Sequence, residues 1–223
     1  MPYDFEPLGL TFRLASLTTV ILFLIGVPLA YWLTLTRSKI KYILETIVSM
    51  PLVLPPTVLG FYLLIAFSPR SMLGNFLETS FDIRLAFTFT GILIGSIIFS
   101  LPFMVNPIKA GLENLPVSLA EAAYTLGKSK TETLLKVLLP NIRSSILAAV
   151  VMTFAHTLGE FGVVLMIGGN IPHVTRVASI AIFTEVEALN YSAANFYSLI
   201  LIAVSFAILL GVHWINRKEA RVL

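Results

Sequence analysis

The stretch Leu119–Pro140, LAEAAYTLGKSKTETLLKVLLP, holds five charged residues of both signs and lies between two apolar runs of membrane-crossing length. It contains two helix starts in succession. Ser118-Leu-Ala-Glu121 has the form of a capping box, in which a serine hydroxyl and a glutamate satisfy amide groups at a helix N-terminus. Ser129-Lys-Thr-Glu132 repeats that form just after Gly127, a residue suited to ending the first helix in a left-handed turn. Pro140, which has no N–H, is expected to stop or redirect the second helix. The prediction is a bent bracket of two short helices lying on a membrane surface.

The runs on either side decide the class. The 223 residues are 57% hydrophobic and 12% charged, with a mean hydropathy of +0.91. That charge content is half the roughly 25% of ordinary soluble domains. Segments 14–36, 46–69, 85–108 and 188–216 contain no Asp, Glu, Lys or Arg, and 144–167 is interrupted only by Glu160. Each can cross a hydrocarbon core about 30 Å thick as a helix, which satisfies its own backbone in lipid. The runs are continuous rather than alternating, which excludes a membrane β-barrel. The expectation is therefore one all-α integral membrane domain over 13–216, with five spans at 14–36, 46–69, 85–108, 144–167 and 192–215. The surface segment covers 112–140, and tails lie at 1–12 and 217–223. The absence of cysteine excludes disulfides and thiolate metal sites. The first twelve residues carry Asp4 and Glu6 and no base before Arg13, unlike a signal peptide, and read as an extracytoplasmic, interfacial or disordered end.

Charge placement orients the chain. If the N-terminus is outside, eleven of the fifteen basic residues fall in inner connections: Arg37, Lys39 and Lys41; Lys109, Lys128, Lys130, Lys136 and Arg143; Arg217, Lys218 and Arg221. By the positive-inside rule this predicts an outside N-terminus, an inside C-terminus and a cytoplasmic bracket. The net charge of +3 is thereby accounted for without nucleic-acid binding.

Several spans are irregular. Pro51, Pro55 and Pro56 require the second to kink or to begin late, and the third carries Pro102 and Pro107 near its cytoplasmic end. Such prolines mark either a kink without function or a bent helix lining a pathway. Gly168–Pro172 breaks the chain after the fourth span. Residues 175–186 then read as a short interfacial or re-entrant helix, since Arg176, Glu185 and Glu187 leave too little uncharged length for a sixth span.

Catalytic chemistry is not apparent. Gly127-Lys-Ser129 ends like a Walker A loop, but Ala122 stands where the earlier glycine belongs and no strand precedes it. His156, His173 and His213 lack metal-ligand spacing, and no serine–histidine–acid set or carboxylate pair is convincing. Glu160 is the one acid inside an apolar run, where a charge costs roughly 2.5–3.5 kcal/mol at mid-membrane. It reads either as a structural acid near the outer helix end, paired with Arg176, or as a gate or pathway residue. A carboxylate facing an anion path would repel the anion, so it is not expected to bind an anionic substrate. Ser96, Ser100, Asn106 and Thr153 either line a weakly binding path or bond other helices.

Glu121, Ala122, Ala123, Gly127, Leu139 and Pro140 match the EAA motif of ABC importer membrane subunits: EAA, three residues, Gly, nine residues, Ile, any residue, Leu-Pro. Val137 stands where the motif prefers isoleucine. The chain resembles that family from about Leu10 to Asn216, and MPLVLPPTVLGFYLL at 50–64 with TLGEFGVVLMIGGNIPHVTR at 157–176 resembles its molybdate/tungstate branch. Sulfate/thiosulfate permeases share much of the second stretch. The resemblance implies a type I ABC importer fold in a prokaryotic inner membrane, with the bracket as the coupling helix that docks on an ATPase. It implies as partners a second copy of the chain, two cytoplasmic ABC ATPase subunits and an extracytoplasmic oxyanion-binding protein. It implies no cofactor and no ATPase site in this chain. Pro55, Pro56, Ser100, Glu160, Gly162 and Arg176 are the candidate gate or pathway residues. A secondary transporter would call for mid-membrane ionisable groups or repeated halves. An intramembrane enzyme would call for convergent catalytic groups.

Overall fold

The computed structural model describes residues 4–219. In chain order its helices are α1 (Glu6–Leu35), α2 (Ile40–Ser49), α3 (Pro56–Phe67), α4 (Met72–Phe81), α5 (Phe89–Glu113) and α6 (Val117–Thr125). They continue with α7 (Lys130–Thr133), α8 (Leu139–Asn141), α9 (Arg143–Leu158), α10 (Gly162–Gly168), α11 (Ala178–Glu187) and α12 (Tyr191–Glu219). A 3-10 turn, Met50–Leu52, follows α2, and a π-helical turn, Leu134–Leu138, joins α7 to α8.

Three helices, α1, α5 and α12, are long and apolar enough to cross a membrane. Two bent pairs bring the number to five if each is one span: Ile40–Leu52 with Pro56–Phe67, at 109°, and Lys130–Asn141 with Arg143–Leu158, at 81°. The first bend coincides with Pro51, Pro55 and Pro56, where missing N–H groups leave no ladder to continue. Pro102 and Pro107, by contrast, lie inside an uninterrupted α5.

At the centre is α5, packed against α1, α9, α10, α2 and α3. Small residues allow the approach. A Cβ on Gly26 of α1 would lie 2.8 Å from Met104 Cγ of α5, so glycine there sets the α1–α5 spacing. One apolar core, including Leu22, Leu33, Met104, Ile108, Leu138 and Ile142, lies towards the bracket. Another, including Leu14, Ile92, Val163, Ile167 and Val177, fills the opposite end. Some buried hydroxyls are satisfied within their own helix, as in Thr11 Oγ1 to Pro7 O and Thr19 Oγ1 to Ala15 O, both at 2.7 Å. Leu199, Ile202 and Phe206 of α12 remain exposed on a helix that is apolar over Tyr191–Gly211, the pattern of a lipid-facing span.

Three expectations need correction. The segment 1–12 is not simply a tail, because α1 begins at Glu6 and Thr11 Oγ1 accepts the Ala178 N–H at 2.8 Å. The fourth span, expected as one helix over 144–167, stops at Leu158, and α10 resumes at Gly162. Between the second and third expected spans lies α4, which Ser71 caps by accepting the Gly74 N–H at 2.9 Å. The last span runs on to Glu219, into the residues expected as a tail, while 220–223 lie outside the described residues. The short helix expected at 175–186 is α11, ten residues long.

Candidate functional site

The bracket is built from local signals, though not all of those anticipated. Its first helix begins at Val117 behind Pro116, whose ψ of 132° places it outside the helix. Ser118 therefore sits within the first turn and does not cap, so the expected capping box at Ser118–Glu121 is not formed. The helix ends as foreseen, with Gly127 at φ +75°. The Gly127 N–H donates to Tyr124 O and the Lys128 N–H to Ala123 O, both at 3.0 Å, which closes a Schellman turn.

The second arm starts where Ser129 Oγ accepts the Glu132 N–H at 3.2 Å. Lys136, bonded to the Glu132 carboxylate at 3.0 Å, holds that exposed carboxyl below the usual range, with Lys128 assisting at 3.5 Å. The π-helical turn comes next, with the Leu139 N–H reaching back five residues to Leu134 O. A wider turn eases the clash of a helical proline ring with the carbonyl four residues earlier. Pro140 consequently does not stop the arm. The chain passes through Pro140 to Asn141, and the 81° change of direction comes at Ile142.

Of the six motif residues, Glu121, Ala122, Gly127 and Pro140 are exposed, Leu139 is half-buried and Ala123 is buried. Leu126 and Leu135 add large apolar side chains to the exposed surface. At the root of the bracket, Lys109 pairs with Glu45 at 2.9 Å and Glu113 at 3.2 Å, and Lys41 with Glu113 at 3.4 Å and Glu45 at 3.7 Å. This cluster ties α2 to the last turn of α5. The pairs four residues apart are legible in the sequence, but the cross-helix pairs are not.

The second locus is the break between α9 and α10. A cavity of about 610 Å³ is lined there by residues that include Pro56, Phe99, His156, Glu160 and Gly162. Three of the anticipated pathway residues, Pro56, Glu160 and Gly162, thus meet, and Pro55 adjoins them as the residue preceding α3. A Cβ on Gly162 would lie 2.8 Å from Pro56 Cβ, so only glycine admits this approach of α10 to α3. Ser100 joins through His156, whose Nδ1 is 3.0 Å from Ser100 Oγ.

Arg176 does not join, and the expected Glu160–Arg176 pair is absent. Arg176 Nε donates to Asn170 Oδ1 at 2.6 Å. Glu160, only 4% exposed, has neither carboxylate oxygen hydrogen-bonded. The end of α9 at Leu158 removes the regular helix that was to carry Glu160 to the outer rim. Ser96 and Thr153 are buried without side-chain hydrogen bonds of their own, and Asn106 Nδ2 donates to Ser49 Oγ at 3.3 Å.

Residues 23–221 match the family described as binding-protein-dependent transport system inner membrane component. The chain belongs to that family. As an ABC importer permease it is 42% identical, over 98% of its length and 96% of the relative's, to the molybdenum transport system permease protein ModB of Azotobacter vinelandii. It is 33% identical, over 88% of its length and 70% of the relative's, to the sulfate transport system permease protein CysT of Salmonella typhimurium. Its fold is that of a chain in a bacterial ABC transporter involved in alginate import, with a TM-score of 0.80 at 19% identity over 98% of this chain and 80% of that one. A chain of the MetNI methionine ABC transporter gives 0.72 at 18% identity over 94% and 93%.

In this permease the bracket and the cavity sit at opposite ends of α9, whose 16 residues rise roughly 24 Å. Sequence reasoning missed His156 as part of the second locus. Its ring stacks on Phe103 at 4.0 Å and tilts against Phe99 at 4.8 Å. The available signal was a lone histidine four residues before a lone acid in an apolar run.

Proposed function

We propose that two copies of this chain form the translocation pathway of an ATP-driven importer for molybdate or tungstate. The N-terminus lies outside and the C-terminus in the cytoplasm, as the placement of basic residues favours. The bracket docks on cytoplasmic ABC ATPase subunits, which hydrolyse the ATP, and an extracytoplasmic oxyanion-binding protein delivers the cargo. The observation that carries the choice of cargo is the 42% identity, over nearly the whole of both chains, to a molybdenum transport permease.

The geometry supports the division of labour. The Schellman turn and the Ser129 cap pre-form the bracket, so docking orders little new chain. Glu121 is exposed without a salt bridge among the described residues, and Leu126 at the end of the same helix offers apolar area to a partner. Ala123 is buried, and Leu139 packs against the core that includes Leu138 and Ile142. Pro55, Pro56, Glu160 and Gly162 form the irregular part of the pathway, with Ser100 behind it, while Arg176 braces the neighbouring loop.

Sulfate is the second reading, favoured by the 33% identity to a sulfate permease. Vesicles containing the complete complex should take up labelled molybdate or tungstate in preference to sulfate. Preference for sulfate selects the second reading, and uptake of none of the three removes both. Glu121→Lys should leave the complex hydrolysing ATP with uptake reduced about tenfold or more, the loss expected for a disrupted charged contact. Wild-type uptake by that variant would remove the coupling role.

A further inference from the structure

Apart from Thr57, His156 and Glu160, the cavity at the helix break is lined by proline, phenylalanine, alanine and glycine. An oxyanion needs donors or positive charge, and His156 is the one basic side chain in the lining.

The hydrogen-bond directions fix the state of its ring. Thr157 Oγ1 lies 2.9 Å from Thr153 O and can only donate to that carbonyl. Its single proton is then used, so Ser100 Oγ, 3.1 Å away, donates to Thr157 Oγ1. Ser100 has no proton left for His156 Nδ1 at 3.0 Å, and the Nδ1–H must donate to Ser100 Oγ. A neutral imidazole carries one proton, so Nε2 is left with a lone pair. Nε2 has no hydrogen bond among the described residues, and it is not sealed among the buried unpartnered atoms. Stacking on Phe103 and contact with Phe99 hold the ring against a flip that would exchange the nitrogens.

A lone pair repels the oxygen of an anion, whereas an Nε2–H attracts it. We propose that this cavity is a transit site for the oxyanion in which His156 is the contact residue, taking up one proton at Nε2 as the anion arrives and releasing it as the anion departs. This rests on the oxyanion reading above. The proton comes from water at the cavity mouth, where Thr57 and Gly159 are exposed, and returns to water, so no other bond is made or broken. An adjacent anion favours the imidazolium, and the Phe103 face adds a cation–π contribution.

Glu160 is the only acidic residue lining the cavity. The packed stretches 14–36 of α1, 56–67 of α3, 85–108 ending in α5, 162–168 of α10 and 188–216 ending in α12 carry no Asp, Glu, Lys or Arg. Its buried carboxyl adds no positive charge, so only the transient imidazolium holds an anion in the cavity. The site therefore passes cargo rather than storing it.

The test uses the complete complex in vesicles, with labelled molybdate as the probe, between about pH 6 and pH 8. Wild-type uptake should fall as the pH rises and the imidazolium fraction drops. His156→Gln supplies an amide donor that does not titrate, so the ratio of its uptake to wild type should rise several-fold across the range. A flat ratio overturns the proposal. His156→Leu, without a donor, should lose about tenfold or more at the acid end. Ser100→Ala provides a check independent of changes at His156. It frees the neutral ring to place its proton on Nε2, and should raise uptake at pH 8 relative to wild type. An unchanged profile would also overturn the proposal. Absence of molybdate uptake by wild type at every pH would instead remove the cargo assignment, so the two failures are distinguishable.

Discussion

Gly127 is the position where a single methyl group tests the bracket most directly. Its φ is +75°, and a Cβ built there meets nothing within 4 Å. Gly127→Ala therefore carries no clash, and its whole effect is the cost of a left-handed L-residue, about 1–2 kcal/mol. Such a cost reduces the population of the bent form by a factor of about 5–30. Asparagine tolerates this conformation better, so Gly127→Asn should lose less. Proline adds two faults. It removes the N–H that donates to Tyr124 O, and it pushes Leu126, now at φ −81° and ψ 10°, away from helical geometry. Its loss should reach roughly 3 kcal/mol or more. Hydrogen exchange of the Lys128 amide, which is bonded to Ala123 O, reads the bent form directly. Uptake per ATP in vesicles reads its consequence. Both should rank wild type, then Asn, then Ala, then Pro. Equal protection in the Ala and Pro variants, or wild-type coupling in all three, would refute the reasoning.

Two further outcomes follow from the corrections. Ser129→Ala should destabilise the bracket by about 1 kcal/mol through loss of the Glu132 N–H cap, while Ser118→Ala stays within about 0.5 kcal/mol; hydrogen exchange across 117–133 compares them, and equal losses would contradict the observed caps. Glu160→Arg should lower the thermal stability of the complex severely by forcing a cation into a site 4% exposed, and adding Arg176→Glu should not restore it, because Arg176 bonds Asn170 instead. Recovery in the double variant would restore the ion pair that the structure does not show.

The bracket was legible because its signals act over three to five residues. Gly127 needs only its own freedom at positive φ, and Ser129 needs only an amide three residues on. Ser118 carried the same pattern as Ser129 and misled, because Pro116 two residues earlier starts the helix first. The ties Lys41–Glu45 and Lys109–Glu113 are equally local, but Lys109–Glu45 requires α2 to fold back on α5. The 109° bend at Pro51–Pro56 makes that possible, and prolines announce a bend without giving its angle.

By itself the sequence determined a helical membrane protein, the number of apolar segments and the bent polar bracket between two of them. Those follow from run length, charge and near-neighbour hydrogen bonding. Only the tertiary structure decided where the fourth apolar run breaks and what gathers there. An apolar run tells a helix that it can lie in lipid, not whether it must continue. The break at Gly159–Phe161 forms where α10 comes close to α3 at Gly162 and Pro56, contacts between residues about a hundred positions apart. That approach buries Glu160 away from Arg176 and places it with His156 in one cavity, a juxtaposition that no local rule contains.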